Sequence, residues 1–378
     1  MKILHKAILP SGFKAGGISC GIKKSGRPDL ALIYSESPAK AAGMFTHNSI
    51  KAAPVILSKG YLKKYACFQA IIANSGNANC FTGRQGLKDA EETARSLARA
   101  CGIRKESVLV ASTGIIGKRL ELSKIRQGIP RLAGSLSVKG IDAAARAILT
   151  TDTFAKKVTV KLNFGLSTVT ICGIAKGAGM IAPNMATLLS FIFTDAAITR
   201  KALGRALKPA VRSSFNCITV DGCMSTNDTV LILANSASGS PLISGGRGLD
   251  LFTRGLSMVC LELAKMIVQD AEGASKFIRI KVGSARNDAA ARAVALSIAN
   301  SNLFKTAMYG QNPNFGRIAA AAGAGGAGVK EGNLKIKVSS LQKKNIDVDV
   351  RLDQGKGEAV IYTSDLTPAY VKINAEYS

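Results

Sequence analysis

The stretch Ala175-Lys-Gly-Ala-Gly-Met-Ile-Ala-Pro-Asn-Met-Ala-Thr-Leu-Leu-Ser-Phe-Ile-Phe-Thr-Asp195 holds the residue types and spacing best suited to chemistry. Glycine, proline and asparagine gather just ahead of a strongly apolar run, which predicts a loop feeding a buried strand with Thr187 at its first position. Gly177, Gly179 and Pro183 can support unusual backbone geometry in that loop, so the Thr187 hydroxyl could attack the carbonyl of Ala186. The acyl bond would move from nitrogen to oxygen, and hydrolysis of the ester would leave Thr187 with a free α-amine beside its own hydroxyl. An α-amine, ordinarily of pKa about 7.7 to 8.0 and lower when desolvated, is a suitable base at neutral pH. A nucleophile so equipped needs no histidine. From the residues alone, however, a threonine opening an apolar strand is more often just a strand residue.

The elements that would position this segment are mixed. Short apolar runs at Leu30–Tyr34, Pro54–Leu57 and Ala70–Ala73, bounded by Gly, Pro, Ser or Asn, predict strands. Leu87, Ala90, Ala94, Leu97 and Cys101 share one helical face, and Gly102 follows as a stop. Helical patterns also cover about 141–149, 200–214, 251–268 and 288–298, alternating with strand-like runs at 158–162, 169–174, 230–234 and 277–282. Alternating segments at 334–338, 346–350 and 359–362 add antiparallel strands near the end. A layered α/β fold is expected. The glycine-rich stretch 323–328 lacks the Gly-Lys-Ser/Thr ending of a phosphate loop and reads as a loop or helix-packing segment. Gly114-Ile-Ile-Gly-Lys-Arg119 fails the same test on spacing and on Arg119.

Composition narrows the chemistry. With 378 residues and 47% hydrophobic residues a sizeable core is available. No apolar run reaches the length of a membrane span or a signal peptide, so a cytoplasmic protein is expected. The eight cysteines, Cys20, Cys67, Cys80, Cys101, Cys172, Cys217, Cys223 and Cys260, form no C-x-x-C pair and read as reduced core residues. His5 and His47 are the only histidines, which argues against a Cys/His metal site and against a Ser-His-Asp triad. The formal charge of +27 would suit nucleic acid, but the basic residues are spread along the chain and aromatics are only 5% with no Trp. Without a basic and aromatic stripe, solvated surface charge is the better reading, and nucleic-acid binding is not expected.

The 175–195 stretch, together with several other ordered motifs spread over nearly the whole chain, closely resembles the ornithine acetyltransferase family, the bifunctional glutamate N-acetyltransferases of arginine biosynthesis. The other motifs are Ser25-Gly-Arg-Pro-Asp-Leu-Ala-Leu-Ile33, Ala41-Ala-Gly-Met-Phe-Thr46, Lys51-Ala-Ala-Pro-Val55, Asn74-Ser-Gly-Asn-Ala-Asn79, Ser112-Thr-Gly-Ile-Ile-Gly117 and Thr150-Thr-Asp-Thr153. Further along come Ile218-Thr-Val-Asp-Gly222, Ser225-Thr-Asn-Asp-Thr-Val230, Asp270-Ala-Glu-Gly-Ala-Ser-Lys276, Asn312-Pro-Asn-Phe-Gly-Arg-Ile318 and Ile373-Asn-Ala-Glu-Tyr377.

The resemblance implies an α/β/β/α layered sandwich of the type shared with self-cleaving D-aminopeptidases. It implies cleavage between Ala186 and Thr187 into an α chain of residues 1–186 and a β chain of residues 187–378, assembled as two of each. Thr187 would then be the nucleophile, with Thr113 and Gly114 as oxyanion donors. Thr153, Lys176, Thr187, Glu272 and Asn374 would contact substrate, Lys176 offering a cation to a carboxylate and Glu272 an anion to an amine. The implied reaction passes an acetyl group from N2-acetylornithine to glutamate with no metal and no cofactor. Acetyl-CoA as a second donor is left open. The family usually carries one more small polar residue after the position of Ser378, for which Ser378 is the substitute. Phe315 replaces a usual Trp, and Cys217 and Cys223 stand where charged residues are common. Two other readings compete: an aminopeptidase or amidase using the same Thr187, and a binding protein in which Thr187 is structural.

Overall fold

The computed structural model describes residues 1–182 and 188–376. Ala186, Thr187 and Ser378 therefore lie outside the described residues. The chain divides into two compact units, the first made of Met1–Gly177, Asn184–Asn216 and Met224–Leu263, the second of Ala178–Pro183, Cys217–Cys223 and Ala264–Ser378.

The first unit contains β1 (Lys2–Leu4), β2 (Phe13–Ile18), β3 (Leu30–Phe45), α1 (Ala53–Lys64), β4 (Phe68–Asn77), α2 (Gly83–Cys101), β5 (Val108–Ile115), α3 (Leu122–Gly134), α4 (Ile141–Ala147), β6 (Lys156–Phe164), β7 (Ser167–Lys176), β8 (Leu189–Thr194), α5 (Arg200–Arg212) and β9 (Thr229–Ala234), and helix α6 (Gly246–Gln269) as far as Leu263. Its strands run in the order β1-β6-β7-β8-β9-β3-β4-β5, with β2 on β3.

The long β3 serves both halves of this sheet. Its start, Leu30–Tyr34, pairs with β4, while Lys40–Phe45 pairs with β9, with a register shift between. Ala31, Ile33, Ile71, Ala73, Leu109 and Ala111 from the β2–β5 half share one core with Ile174, Leu189, Phe191, Phe193, Leu231 and Leu233 from the β6–β9 half. The alternate residues Leu30, Leu32, Ala70, Ile72, Val108 and Val110 face α1, α2 and α3 instead. Behind the other half, a side chain at Gly173 would meet Val259 and Leu263 of α6. Helices, sheet, sheet and helices thus form the α/β/β/α order expected from the resemblance. Burying each Leu, Ile or Phe this way stabilises the fold by about 1.5–3 kcal/mol. The layering explains why Leu188–Phe193 reads as one apolar run: β8 is covered on both faces, so every residue of it is buried.

In the second unit, β10 (Phe277–Ala285), α7 (Asp288–Ala299), α8 (Asn302–Tyr309), α9 (Phe315–Ala324), β11 (Lys335–Val338), β12 (Asn345–Arg351), β13 (Gly357–Ser364) and α10 (Pro368–Glu376) follow one another. The sheet order is β11-β12-β10-β13, with β10 and β12 parallel. Ile278, Ile280, Val282, Ile346, Val348, Val350 and Ile361 pack against Val294, Ile298, Phe304, Met308 and Ile318 of the helices.

Two expectations change. Pro54–Leu57 is the first turn of α1, not a strand: Pro54 sits at its start, where a missing N–H costs nothing, and the apolar face continues to Leu62. No cysteine among the described residues is in a disulfide, but only Cys80, Cys172 and Cys260 are buried, and Cys223 is exposed. Helix α2 keeps its predicted face and ends at Gly102 in the left-handed conformation, φ +65°. The 323–328 stretch is the end of α9 and the turn after it. Among the described residues, no helix is long and apolar enough to cross a membrane.

Candidate active site

In the first unit the predicted oxyanion residues lie at the end of β5, where the backbone is irregular. Gly114 faces Gly76, and Asn77 pairs with both Thr113 and Ile115 across a register shift. Gly114 has φ +131°, and a side chain there would collide with the Gly76 and Asn77 backbone. Only glycine fits this position. The motif Asn74–Asn79 explains how the distortion holds: Ser112 Oγ donates to Asn74 Oδ1 (2.5 Å), Asn74 Nδ2 to the Asn77 carbonyl (2.9 Å), and Asn77 Nδ2 to the Lys118 and Arg119 carbonyls (3.3 and 3.0 Å). Each amide is satisfied, so buried polar groups here lend rigidity rather than cost stability. Thr113 is buried within this frame.

Lys176 is the last residue of β7, opposite Leu189 in β8. It is buried, with its ammonium 3.9 Å from Asp152 Oδ2. Asp152 also takes Lys156 Nζ at 2.7 Å and the N–H of Gly177 at 2.6 Å on Oδ1, and the N–H of Thr150 at 3.0 Å on Oδ2. Burial alone would raise its pKa, but Lys176, Lys156 and these hydrogen bonds hold the carboxyl well below the usual carboxylate range. The neighbouring Thr153 is exposed on the loop before β6.

Asp228, also buried, behaves differently. Asp228 accepts the N–H of Leu188 on Oδ1 (3.1 Å), and the Thr229 N–H donates to the Leu188 carbonyl (3.0 Å). Residue 188 is clamped from both sides. Asn227 donates from Nδ2 to the carbonyls of Ser112 (2.8 Å) and Ala78 (2.7 Å). Two consecutive side chains thus hold, respectively, the strand carrying Thr113 and the residue that follows Thr187.

In the second unit, Glu272 and Asn374 come together: Asn374 Nδ2, on α10, donates to Glu272 Oε2 at 2.9 Å. Asn374 is thereby placed on a helix near the end of the chain. The Glu272 carboxylate lies so close over Gly179 that any side chain at 179 would overlap it. Gly273, at φ +64°, lets the backbone of α10 approach at Ala369 and Tyr370. Asp221 holds the chain leading towards residue 187 by accepting the N–H groups of Met180 (2.6 Å) and Ile181 (2.9 Å). Among the described residues, no His, Cys, Asp and Glu cluster could hold a metal.

The ArgJ family profile matches residues 14–342 and 337–378. The "Arginine biosynthesis bifunctional protein ArgJ" of Geobacter sulfurreducens is 46% identical over 97% of this chain and 98% of its own length. This chain belongs to the ArgJ family. The ArgJ protein of Caldanaerobacter subterraneus is 44% identical over the full length of both chains. Among solved structures, ornithine acetyltransferase from Mycobacterium tuberculosis, complexed with ornithine, is 37% identical and covers 50% of this chain and 99% of its own, with a TM-score of 0.46. The ArgJ assignment agrees with the resemblance read from the motifs. Sequence reasoning missed Asp152, Asp221, Asn227 and Asp228 as site residues. All four stood inside matched motifs, and the signal available was an acid or amide set among small and apolar residues.

Proposed function

We propose that this chain is an acetyltransferase of arginine biosynthesis that moves the acetyl group of N2-acetylornithine to glutamate through an ester on Thr187. The observation that carries the reading is full-length similarity to ArgJ proteins. Thr187 Oγ attacks the acetyl carbonyl, ornithine leaves, and the glutamate amine then takes the acetyl group from the ester. Thr113 and Gly114 are the oxyanion donors, and each such donor accounts for a factor of about 10² to 10³ in rate. Lys176 suits a substrate carboxylate and Glu272 with Asn374 an ammonium, while Thr153 and the Ser378 hydroxyl offer neutral hydrogen bonds. Self-cleavage between Ala186 and Thr187, a two-plus-two assembly, acetyl-CoA as a further donor and a cytoplasmic location belong to the same reading.

Mass measurement under denaturing conditions tests the first step, with two fragments beginning at Met1 and Thr187 expected in the wild type and one uncut chain in Thr187→Ala. Incubation with N2-acetylornithine and glutamate should then yield acetylglutamate from the wild type and none from the variant. Acetate as the sole product would overturn the transferase reading in favour of a hydrolase.

A further inference from the structure

Helix α10 carries Asn374, yet none of its residues is buried, and a helix of nine residues is too short to stand on its own backbone hydrogen bonds. Its hold on the second unit is polar instead. Thr367, just before its start, donates its hydroxyl to the Gly273 carbonyl (2.7 Å) and accepts the N–H of Tyr370 (3.2 Å). The Tyr370 hydroxyl donates to Asp221 Oδ2 (3.2 Å), and Asn374 Nδ2 donates to Glu272 Oε2 (2.9 Å). Residues 367, 370 and 374 are spaced three and four apart, so these contacts lie along one side of the helix.

The contacts close a ring around the Glu272 carboxylate. Glu272 donates its N–H to the Ala178 carbonyl (3.0 Å), and its carboxylate lies over Gly179. The next two residues of that segment, Met180 and Ile181, give their N–H groups to Asp221 (2.6 and 2.9 Å). Asp221 is joined to α10 by the Tyr370 hydroxyl, and α10 returns to Glu272 through Asn374. The Asn374 amide also donates to the Tyr370 carbonyl (3.1 Å), so both its N–H groups are committed. Its side-chain oxygen is an acceptor beside a carboxylate, a pair of groups that suits an ammonium with its three donors.

We propose that Tyr370 is a positioning residue for the side-chain ammonium of N2-acetylornithine: by holding α10 to Asp221 it sets Asn374 and, through Asn374, the Glu272 carboxylate that takes that ammonium. The inference rests on the reading of Glu272 as the substrate's ammonium contact. Glutamate has no ammonium in its side chain, so the effect is confined to the donor.

The electrostatics fit a hydroxyl that only donates. Burial, then the charge and hydrogen bond of Asp221, with Cys223 and Glu272 adding to them, push the Tyr370 phenol above its ordinary value. It keeps its proton, and with it the link to Asp221, at any pH near neutrality.

The test is steady-state kinetics of the full chain as wild type, Tyr370→Phe and Glu272→Gln. The Tyr370→Phe change keeps the ring and removes only the hydroxyl. KM for N2-acetylornithine should rise about 10-fold with kcat held within about 2-fold, because an ammonium remote from the acetyl carbonyl is bound alike in ground and transition states. KM for glutamate should not move. N2-acetylnorvaline, the same donor with the ammonium removed, separates positioning from general loosening: its KM should be equal in wild type and Tyr370→Phe. An unchanged KM for N2-acetylornithine in Tyr370→Phe, while Glu272→Gln raises it, would overturn the role of Tyr370 alone. Equal rises for N2-acetylornithine and N2-acetylnorvaline would do the same. An unchanged KM for N2-acetylornithine in Glu272→Gln would instead remove the reading of Glu272, and the inference with it.

Discussion

Asp152 and Asp228 are both buried within the first unit and both feel the ammonium of Lys176, yet the protein treats them in opposite ways. Asp152 sits between two lysines with two N–H donors on its oxygens and is held ionised. Asp228 has one N–H on one oxygen and nothing described on the other, and burial favours its neutral form. Both are buried, so what separates them is chiefly charge: Lys176 and Lys156 both act on Asp152, whereas at Asp228 burial outweighs the pull of Lys176 and the hydrogen bonds. The first carboxylate builds the wall that holds Lys176, and the second keeps one oxygen unpartnered beside the Leu188 N–H.

Removing the wall should give the largest effect on stability. Asp152→Ala leaves Lys156 fully buried without its 2.7 Å partner and should destabilise the protein by about 3–5 kcal/mol in urea unfolding. Asp228→Asn should cost far less, because a neutral group replaces one already favoured as neutral. Comparable losses for the two variants would break the comparison.

The pH dependence of stability should differ in sign. A folded pKa held low, as for Asp152, adds stability that is present above the unfolded value of about 3.9 and is lost as pH falls through the folded value. A folded pKa held high, as for Asp228, adds stability that is present below about 3.9 and is lost as pH rises through the folded value. Relative to the wild type, Asp228→Asn should therefore gain stability as pH rises, read from urea midpoints at successive pH values. A gap independent of pH would mean that Asp228 is ionised in the folded protein.

The smallest effect sharpens the link between the two acids. Lys176→Met removes the cation they share, so in that background the pH midpoint of the Asp228→Asn stability gap should move upward. An unmoved midpoint would show that Lys176 does not act on Asp228.

Much of the fold was legible because periodicity survives folding. The spacing from Leu87 to Cys101 with its closing Gly102 became α2, and the largely apolar run from Leu188, interrupted only by Ser190, became β8, covered on both faces. Pro54–Leu57 misled because four apolar residues do not distinguish a strand from a first helical turn, and α3, with Pro130 inside it, carries a breaker that sequence reading takes as a stop. The helix bearing Asn374 was equally hidden, having no buried face to impose a period.

At the site, the sequence determined the residue types: a threonine after a glycine-rich loop, two histidines only, and motifs ordered as in the ArgJ family. It placed Thr113, Gly114, Lys176, Glu272 and Asn374 within those motifs. Only the tertiary structure decided that Gly114 must be glycine, since the reason is the Gly76–Asn77 backbone pressed against it from another strand. Only the tertiary structure separated Asp152 from Asp228, because a carboxyl's charge depends on burial and on partners brought from distant parts of the chain, and neither is written in the residue's own neighbours.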